Sequence, residues 1–535
     1  MRKPSPKNIT VIQKVPNLIP VQNRSLFDTR ILLILTGICL VVGLWLRVSH
    51  LDRAGLWSDE LYSVSIAYLV GHQPGQVPRD IRFVSPHSLE PEDNFWSWKL
   101  TDPHPPLYEI VLSAWIKLFG HSDAAVRTLS VVFGMLLVMS GLLLWRESPQ
   151  IASYYTSAMA LSLQLIFYSQ EARNYALAAL LCGLLVLQVV ANIKRSEGDV
   201  SRLRLPAFAL VTIFMAGFTH YYTLLLSGSI CLIYSCFHLK QRSYLNISRM
   251  LLPLLALLPY LWLARTGLSV KLDNKNLGVG GYMQSIFNTA SDFITFSLPD
   301  ILPFVIIGGI LILAVGAITK RELVMEFGVG SWDLVVRILI AWLVLYLVAM
   351  GIATATAPFF HPRYLIFALP LVLLILAIFI ERIKLPPVIK IFFLIAVMSF
   401  SSSQSWNSTM QRNDLPDYRS AAQWLASQYR EGDRIIVSWR PNLIYYLHYL
   451  ASYLTPDIRY AIDAYFDEQD IQDMCASLPN DEILSKVYFY YFEGHVSQVE
   501  AFGRYCGKYY SLIEHKKFRA MFVDTYEYRL TEPQE

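Results

Sequence analysis

The chain is 535 residues long, 54% of them hydrophobic and only 16% charged, with a mean hydropathy of +0.39. Such a composition excludes a soluble globular enzyme and describes a polytopic membrane protein. The net charge of +4 gives no sign of a nucleic-acid partner, and no Walker loop or dinucleotide fingerprint points to a nucleotide-driven reaction.

In chain order, Arg2, Lys3, Lys7, Lys14, Arg24 and Arg30 make residues 1–30 a basic tail. Eleven apolar runs follow. They are Ile31 to Val48, Ala124 to Trp145, Ile151 to Phe167, Tyr175 to Ile193, Leu205 to Phe218 and Tyr221 to Phe237. Then come Met250 to Leu263, Ile301 to Ile318, Ile338 to Ala355, Tyr364 to Ile380 and Val388 to Phe400. A spanning helix needs about 20 apolar residues, with ~17 as the usual lower end. The runs from Leu205, Met250 and Val388 therefore need polar flanks to complete a crossing. The first run is too long for a cleavable signal peptide and lacks a small-residue cleavage site.

The basic tail places the N-terminus in the cytoplasm, and every second loop after it is basic. These loops hold Arg146, then Lys194, Arg195, Arg202 and Arg204, then Lys240, Arg242 and Arg249. Lys320 with Arg321, and Arg382, Lys384 and Lys390, complete the series. The alternation predicts eleven crossings of a plasma (inner) membrane. The transmembrane domain occupies residues 31–404, with a large external loop over 49–123. After Phe400 the composition changes. An amphipathic helix is predicted over Arg419 to Arg430, and strands over Arg434 to Trp439, Lys486 to Phe492 and Phe518 to Tyr528, with helices between. Residues 405–535 thus read as a small external α/β domain.

The external side collects polar clusters at the ends of different runs. First is Gly55-Leu56-Trp57-Ser58-Asp59-Glu60-Leu61-Tyr62, just past a run in which Arg47 is the only charge. Next are Asp102-Pro103-His104-Pro105-Pro106-Leu107-Tyr108 and Tyr168-Ser169-Gln170-Glu171-Ala172-Arg173-Asn174-Tyr175. Thr219-His220-Tyr221-Tyr222 and His361-Pro362-Arg363-Tyr364 complete the set. Adjacent carboxylates at a membrane surface serve as a general base or metal ligand, or form an acidic solvated loop. Five clusters on one face indicate a site.

The series Asp-Glu-Leu-Tyr, Asp-x-His-Pro-Pro-Leu-Tyr, Tyr-Ser-Gln-Glu-Ala-Arg-x-Tyr, Thr-His-Tyr and Arg-Tyr-Leu resembles the bacterial members of glycosyltransferase family 39. These are multi-pass GT-C enzymes akin to protein O-mannosyltransferases and the lipid A aminoarabinose transferase. The resemblance spans about Ile31 to Phe400. It implies transfer of a sugar from a polyprenyl-phosphate carrier at the outer face, with the catalytic aspartate on the first external loop, here Asp59. The acceptor does not carry over and is a glycan, a lipid or a protein. Membrane lipids are the other expected partners.

The chemistry asks for little. A phosphodiester leaves as a phosphomonoester without an acid to protonate it, unlike the alcohol leaving group of a glycosidase. One base for the acceptor hydroxyl and cations for the phosphate suffice, and one carboxylate on one face implies inversion. Asp59 is the expected base, with Glu60 orienting it or holding the loop. Asp102 is either a further carboxylate of the site or a helix cap before Pro105-Pro106 and the amphipathic stretch Leu107 to Phe119. Arg173 and Arg363 suit phosphate by their fork geometry; otherwise they snorkel to headgroups, or pair with Glu171. His104 and His220 donate hydrogen bonds or are structural; Tyr168, Tyr175, Tyr221 and Tyr222 suit sugar stacking or form an interfacial tyrosine belt, and Tyr364 is a further substrate-binding candidate beside Arg363. Lys271, in the loop Arg265 to Pro299, is a further phosphate contact if that loop closes as a lid.

No metal is expected to be obligatory. Only Asp59-Glu60 and Asp102 are candidate ligands for Mg or Mn, and no cysteine–histidine spacing suits zinc. Cys39, Cys182, Cys231 and Cys236 read as packing residues. Cys475 and Cys506 form a disulfide or remain free thiols. The alternative function, a transporter or flippase of a lipid-linked glycan, calls for mid-membrane ionisable residues or an internal repeat, and neither is evident.

Overall fold

The structure is a computed structural model of the chain. It describes residues 26–71, 94–102, 104–197, 202–264, 281–293, 331–356, 361–383, 385–396, 416–430, 432–438, 448–450, 461–465, 468–477, 486–492 and 496–528, with residues 199, 399 and 453.

Seven helical segments among the described residues are long and apolar enough to cross a membrane, so the chain is a multi-pass membrane protein. The first is α1 (Leu26–Val48). After it, α2 (Ser58–Tyr68), α3 (Phe95–Thr101) and α4 (Leu107–Phe119) lie in the first loop. Next, α5 (Asp123–Ser140) runs into a 3-10 turn, Gly141–Arg146, and the two make one span. Helices α6 (Pro149–Leu161), α7 (Leu163–Ser169), α8 (Tyr175–Arg195), α9 (Ala207–Gly217), α10 (Thr223–Lys240), α11 (Tyr244–Ala256) and α12 (Leu258–Leu263) follow. The remaining spans are Trp332–Ala355 and Pro362–Arg382.

Where these differ from the eleven expected runs, the cause is local. The short Met250 run is extended by a polar first turn into a span over Tyr244–Leu263. The Leu205 and Val388 runs remain the short helices Ala207–Gly217 and Pro387–Ala396. The Ile301 to Ile318 run lies outside the described residues. Ile151 to Phe167 is two helices, because Ser162 is extended (ψ 120°) and its hydroxyl accepts the Leu165 N–H as the cap of α7.

Arg47 satisfies that break. Its guanidinium donates to the Met159, Ala160 and Gly43 carbonyls at 3.0, 2.7 and 2.9 Å. A Cβ at Gly43 would stand 2.7 Å from the Ala160 oxygen, so only glycine lets α1 approach α6 this closely. In apolar surroundings freed carbonyls need a donor, and a buried arginine supplies several at once.

Burial orders the bundle. In α8 and in Pro362–Arg382, 72% of the apolar window is buried, against 28% in α1. The first two form the centre, and α1 turns Ile34, Val41 and Trp45 outward, toward lipid. The centre also carries one membrane end of the site, since α8 begins at Tyr175 and the other helix at Pro362.

The C-terminal region is a five-stranded mixed sheet in the order β2-β1-β3-β5-β4. Its strands are β1 (Arg434–Ser438), β2 (Ala461–Tyr465), β3 (Lys486–Phe492), β4 (Tyr510–Phe518) and β5 (Met521–Tyr528). β1 pairs in parallel with β2 and β3, and β5 pairs antiparallel with β3 and β4. The expected strand Phe518 to Tyr528 is the second half of a β4–β5 hairpin, turned at Ala520 (φ 52°). Cys475 and Cys506 form a disulfide joining the helices Glu468–Ser477 and Val496–Cys506.

This sheet does not stand apart from the membrane helices. Val437, Tyr490 and Val523 share one buried apolar cluster with Leu61 and Val64 of α2 and with Tyr108 and Leu112 of α4. The helix Tyr418–Gln428 contributes Tyr418, Ala422 and Leu425 to it.

Candidate functional site

The site begins at the first turn of α2. Asp59 and Glu60 are neighbours in sequence, but about 100° of helical rotation per residue sends them to different surroundings. Glu60 is fully buried. Arg127 of α5 forks onto it, Nε to Oε1 at 2.8 Å and Nη2 to Oε2 at 2.6 Å. Oε1 also accepts the Ala172 N–H at 2.8 Å, and Oε2 the Trp57 N–H at 3.3 Å. Four donors saturate the carboxylate, so it ties α2, α5 and the turn before α8 together.

Asp59 is the accessible carboxylate, with 31% of its side chain exposed, against 2% for Asp102. Its Oδ2 accepts from Arg363 Nη1 at 3.0 Å. Arg173 donates to the Asp59 carbonyl at 3.1 Å and to the Ser63 hydroxyl at 2.8 Å. Both guanidinium carbons lie over the Tyr175 ring, Arg173 at 5.9 Å and Arg363 at 5.8 Å from its centroid. Arg363 is also 5.6 Å from the Trp57 ring. Among the described residues the Nε donors of both arginines, Trp57 Nε1 and the Tyr175 hydroxyl are buried without a hydrogen-bond partner. Buried donors left over in this way mark a place for an acceptor from outside the chain.

Asp102 is the C-cap residue of α3, not the N-cap of α4, whose cap position is Pro106. Lys99, fully buried, bridges Asp102 and Glu109. Glu109 also accepts from Ser63 at 3.2 Å, which links this cluster to Arg173. Burial raises the Asp102 carboxyl, but Lys99 and His104 outweigh it and hold it below the usual carboxylate range. Burial lowers the His104 imidazole against the pull of Asp102, and its Nδ1 faces Asp102 Oδ1 at 3.3 Å. Asp102 is thereby engaged on both oxygens.

His104 and His220 stand edge to face at 5.0 Å, and His220 in turn lies 4.9 Å from Tyr364, which stacks on Tyr222 at 4.8 Å. His220 is pushed well down by burial, His104 and Arg173. Its Nδ1 accepts the Tyr222 N–H at 3.2 Å, which places the ring proton on Nε2, another buried donor without a partner among the described residues. Burial pushes Tyr221 up to about 12, with Tyr260 acting in the opposite direction. Glu171 is buried in the same turn as Arg173, and its carbonyl accepts the Arg173 N–H at 2.7 Å. Lys271 lies outside the described residues.

All five polar clusters therefore meet. The pairing of the expected base with the expected phosphate ligand, Asp59 with Arg363, was not foreseen, nor were Arg127, Lys99, Glu109 and Ser63. A signal existed for Arg127, a charge inside the Ala124 to Trp145 run that needs a buried partner. Among the described residues no three metal-ligating side chains come together. Glu60 is already engaged on both oxygens, and Asp59 is the accessible carboxylate of the pair.

No family model and no curated protein sequence matches the chain. Among solved structures, ArnT from Cupriavidus metallidurans bound to undecaprenyl phosphate is 12% identical, with a TM-score of 0.55 over 93% of this chain and 98% of that one. The apo state of the same protein is 11% identical, with a TM-score of 0.56 over the same shares. At such identity the likeness is one of fold alone: the chain has the GT-C fold of a polytopic helical membrane protein, with a small α/β sheet region at its C-terminal end.

Proposed function

We propose that the chain is an inverting glycosyltransferase that moves a sugar from a polyprenyl-phosphate carrier to an acceptor hydroxyl at the external face of the membrane. The observation that carries this reading is the Arg173–Arg363 pair over Tyr175, with unused donors, beside an accessible carboxylate. The fold shared with a protein that binds undecaprenyl phosphate supports it.

In this reading the acceptor oxygen attacks the anomeric carbon as the anomeric C–O bond to phosphate breaks. The hydroxyl proton passes to Asp59. The carrier departs as a phosphomonoester whose charge is held by Arg173 and Arg363, with His220 and Tyr175 donating at its edge. Glu60 acts through position, because its oxygens are already taken. Asp102 is fixed between Lys99 and His104 and orients the histidine; Tyr221, Tyr364 and Glu171 surround the site, and Lys271 would add a phosphate contact if its loop closes over it. A flippase would use charges along its membrane path. Arg47, the charge buried in the first span, is instead tied to backbone carbonyls.

Arg363→Ala is expected to weaken undecaprenyl phosphate binding about ten- to a hundredfold, the loss of a charge-assisted contact of about 1.5–3 kcal/mol. Binding to protein in nanodiscs, measured by native mass spectrometry, checks this. An affinity equal to that of the parent would remove Arg363 from the phosphate site.

We also propose that the N-terminus is cytoplasmic and the C-terminal sheet external, on the alternation of basic loops. A C-terminal alkaline phosphatase fusion is expected to be active, and a reporter that works only in the cytoplasm silent. The reverse pattern would put the site on the cytoplasmic side and remove the external donor from the proposal.

A further inference from the structure

The turn Leu51–Leu56 carries the chain from α1 into α2, so its course decides where Asp59 stands. Two arginines grip it from opposite sides. From α5, Arg127 donates to the carbonyls of Leu51, Ala54 and Gly55 at 2.6, 2.7 and 3.0 Å. From the C-terminal region, Arg419 donates to the carbonyls of Asp52 and Arg53 at 3.0 and 3.2 Å. Tyr449 then closes the grip. Its hydroxyl accepts the Leu56 N–H and donates to the Asp123 carboxylate, whose oxygens lie at 2.9 and 3.0 Å. Asp123 also pairs with Arg419 at 3.0 Å. Gly55 fits beneath this grip only without a side chain, since a Cβ there would stand 2.9 Å from Arg419 Cβ and 3.2 Å from the Tyr449 hydroxyl.

We propose that Tyr449, Arg419 and Asp123 are positioning residues. Through them the C-terminal α/β region, far along the chain from every motif of the site, holds the turn that sets the placement of Asp59. The inference rests on the reading of Asp59 as the base. Its physical basis is backbone satisfaction. All six residues from Leu51 to Leu56 give a carbonyl or an amide to a side chain of α5 or of the C-terminal region. Such a turn has few other conformations open to it. A base must stand within about 3 Å of the proton it takes, so a turn that drifts lowers the rate of transfer without touching the phosphate ligands.

Tyr449→Phe in the full chain tests this, because it keeps the ring in the shared core and removes only the hydroxyl. Three readouts are taken on protein in nanodiscs and native membranes. They are hydrogen exchange over residues 51–61, consumption of polyprenyl-phosphate sugar followed by mass spectrometry, and affinity for undecaprenyl phosphate. Exchange in that peptide is expected to rise, and donor consumption to fall, each by roughly tenfold, the loss of one buried hydrogen bond. Exchange in β3 and β5 and the affinity for undecaprenyl phosphate are expected to stay as in the parent.

Gly55→Ala is the second variant, in case Tyr449→Phe does not fold. Its Cβ pushes the grip apart from below and is expected to reproduce both changes. Adding Tyr449→Phe, which removes one of the atoms it meets, is expected to make Gly55→Ala no worse. Unchanged exchange, faster exchange with undiminished donor consumption, or additive losses in the double variant would each overturn the positioning role. A parent protein that consumes no donor would count against the transferase reading alone, and the grip would then be judged on the exchange data.

Discussion

Asp59→Asn is expected to lower sugar transfer by about 10²–10⁴-fold, the usual loss when a general base is removed. The amide keeps the size of the side chain and its carbonyl can still accept from Arg363, but it cannot take the acceptor's proton. Donor binding is expected to persist. The Asp59–Arg363 contact sharpens this expectation, because a phosphate arriving at Arg363 competes with the Asp59 carboxylate for the same guanidinium. Removing the charge of Asp59 removes that competitor, so undecaprenyl phosphate should bind Asp59→Asn at least as tightly as the parent. Tight carrier binding with lost transfer separates a base from a binding residue. Transfer at the parent rate would put the base elsewhere, and the engaged, buried state of Asp102 makes it a poor substitute.

The second large effect is on stability. Arg127→Met is expected to destabilise the site end of the bundle by about 3–5 kcal/mol, since it leaves Glu60 charged, buried and short of its ion partner. It also strips donors from the carbonyls of Leu51, Ala54 and Gly55. Thermal unfolding in detergent, with limited proteolysis between α1 and α2, reads this directly. Glu60→Gln should cost less, because the amide oxygen still accepts from Ala172 or Arg127. Replacing both partners with apolar residues should cost less than the two single losses added together, as neither charge is then buried alone. Strict additivity would mean that the two side chains stabilise the fold independently. Reduced transfer by Glu60→Gln in a protein as stable as the parent would give Glu60 a direct chemical role after all.

Much of the helical scaffold was legible because it depends on local rules. Proline before and glycine after an amphipathic stretch delimit α4 at Leu107–Phe119 as read. Apolar length locates α1, α5 and α8 within a few residues. The strands β1 and β3 show in their apolar cores. β4 does not, because it is exposed along most of its length and carries no alternating pattern. β2 was likewise missed. The break at Ser162 lies inside an unbroken apolar run and becomes intelligible only beside Arg47 of another helix.

The site divides in the same way. Sequence alone determined the residue types and the five polar clusters at the ends of apolar runs, since hydropathy and basic loops act along the chain. Tertiary structure alone decided which charges meet. Glu60 and Arg127 are 67 residues apart, Asp59 and Arg363 are 304 apart, and Leu56 and Tyr449 are 393 apart. Adjacent carboxylates of identical chemistry thus take opposite parts, one saturated and structural, the other accessible. The physical reason is burial: once desolvated, each charge must find a partner, and the packing of distant helices decides which partner is within reach.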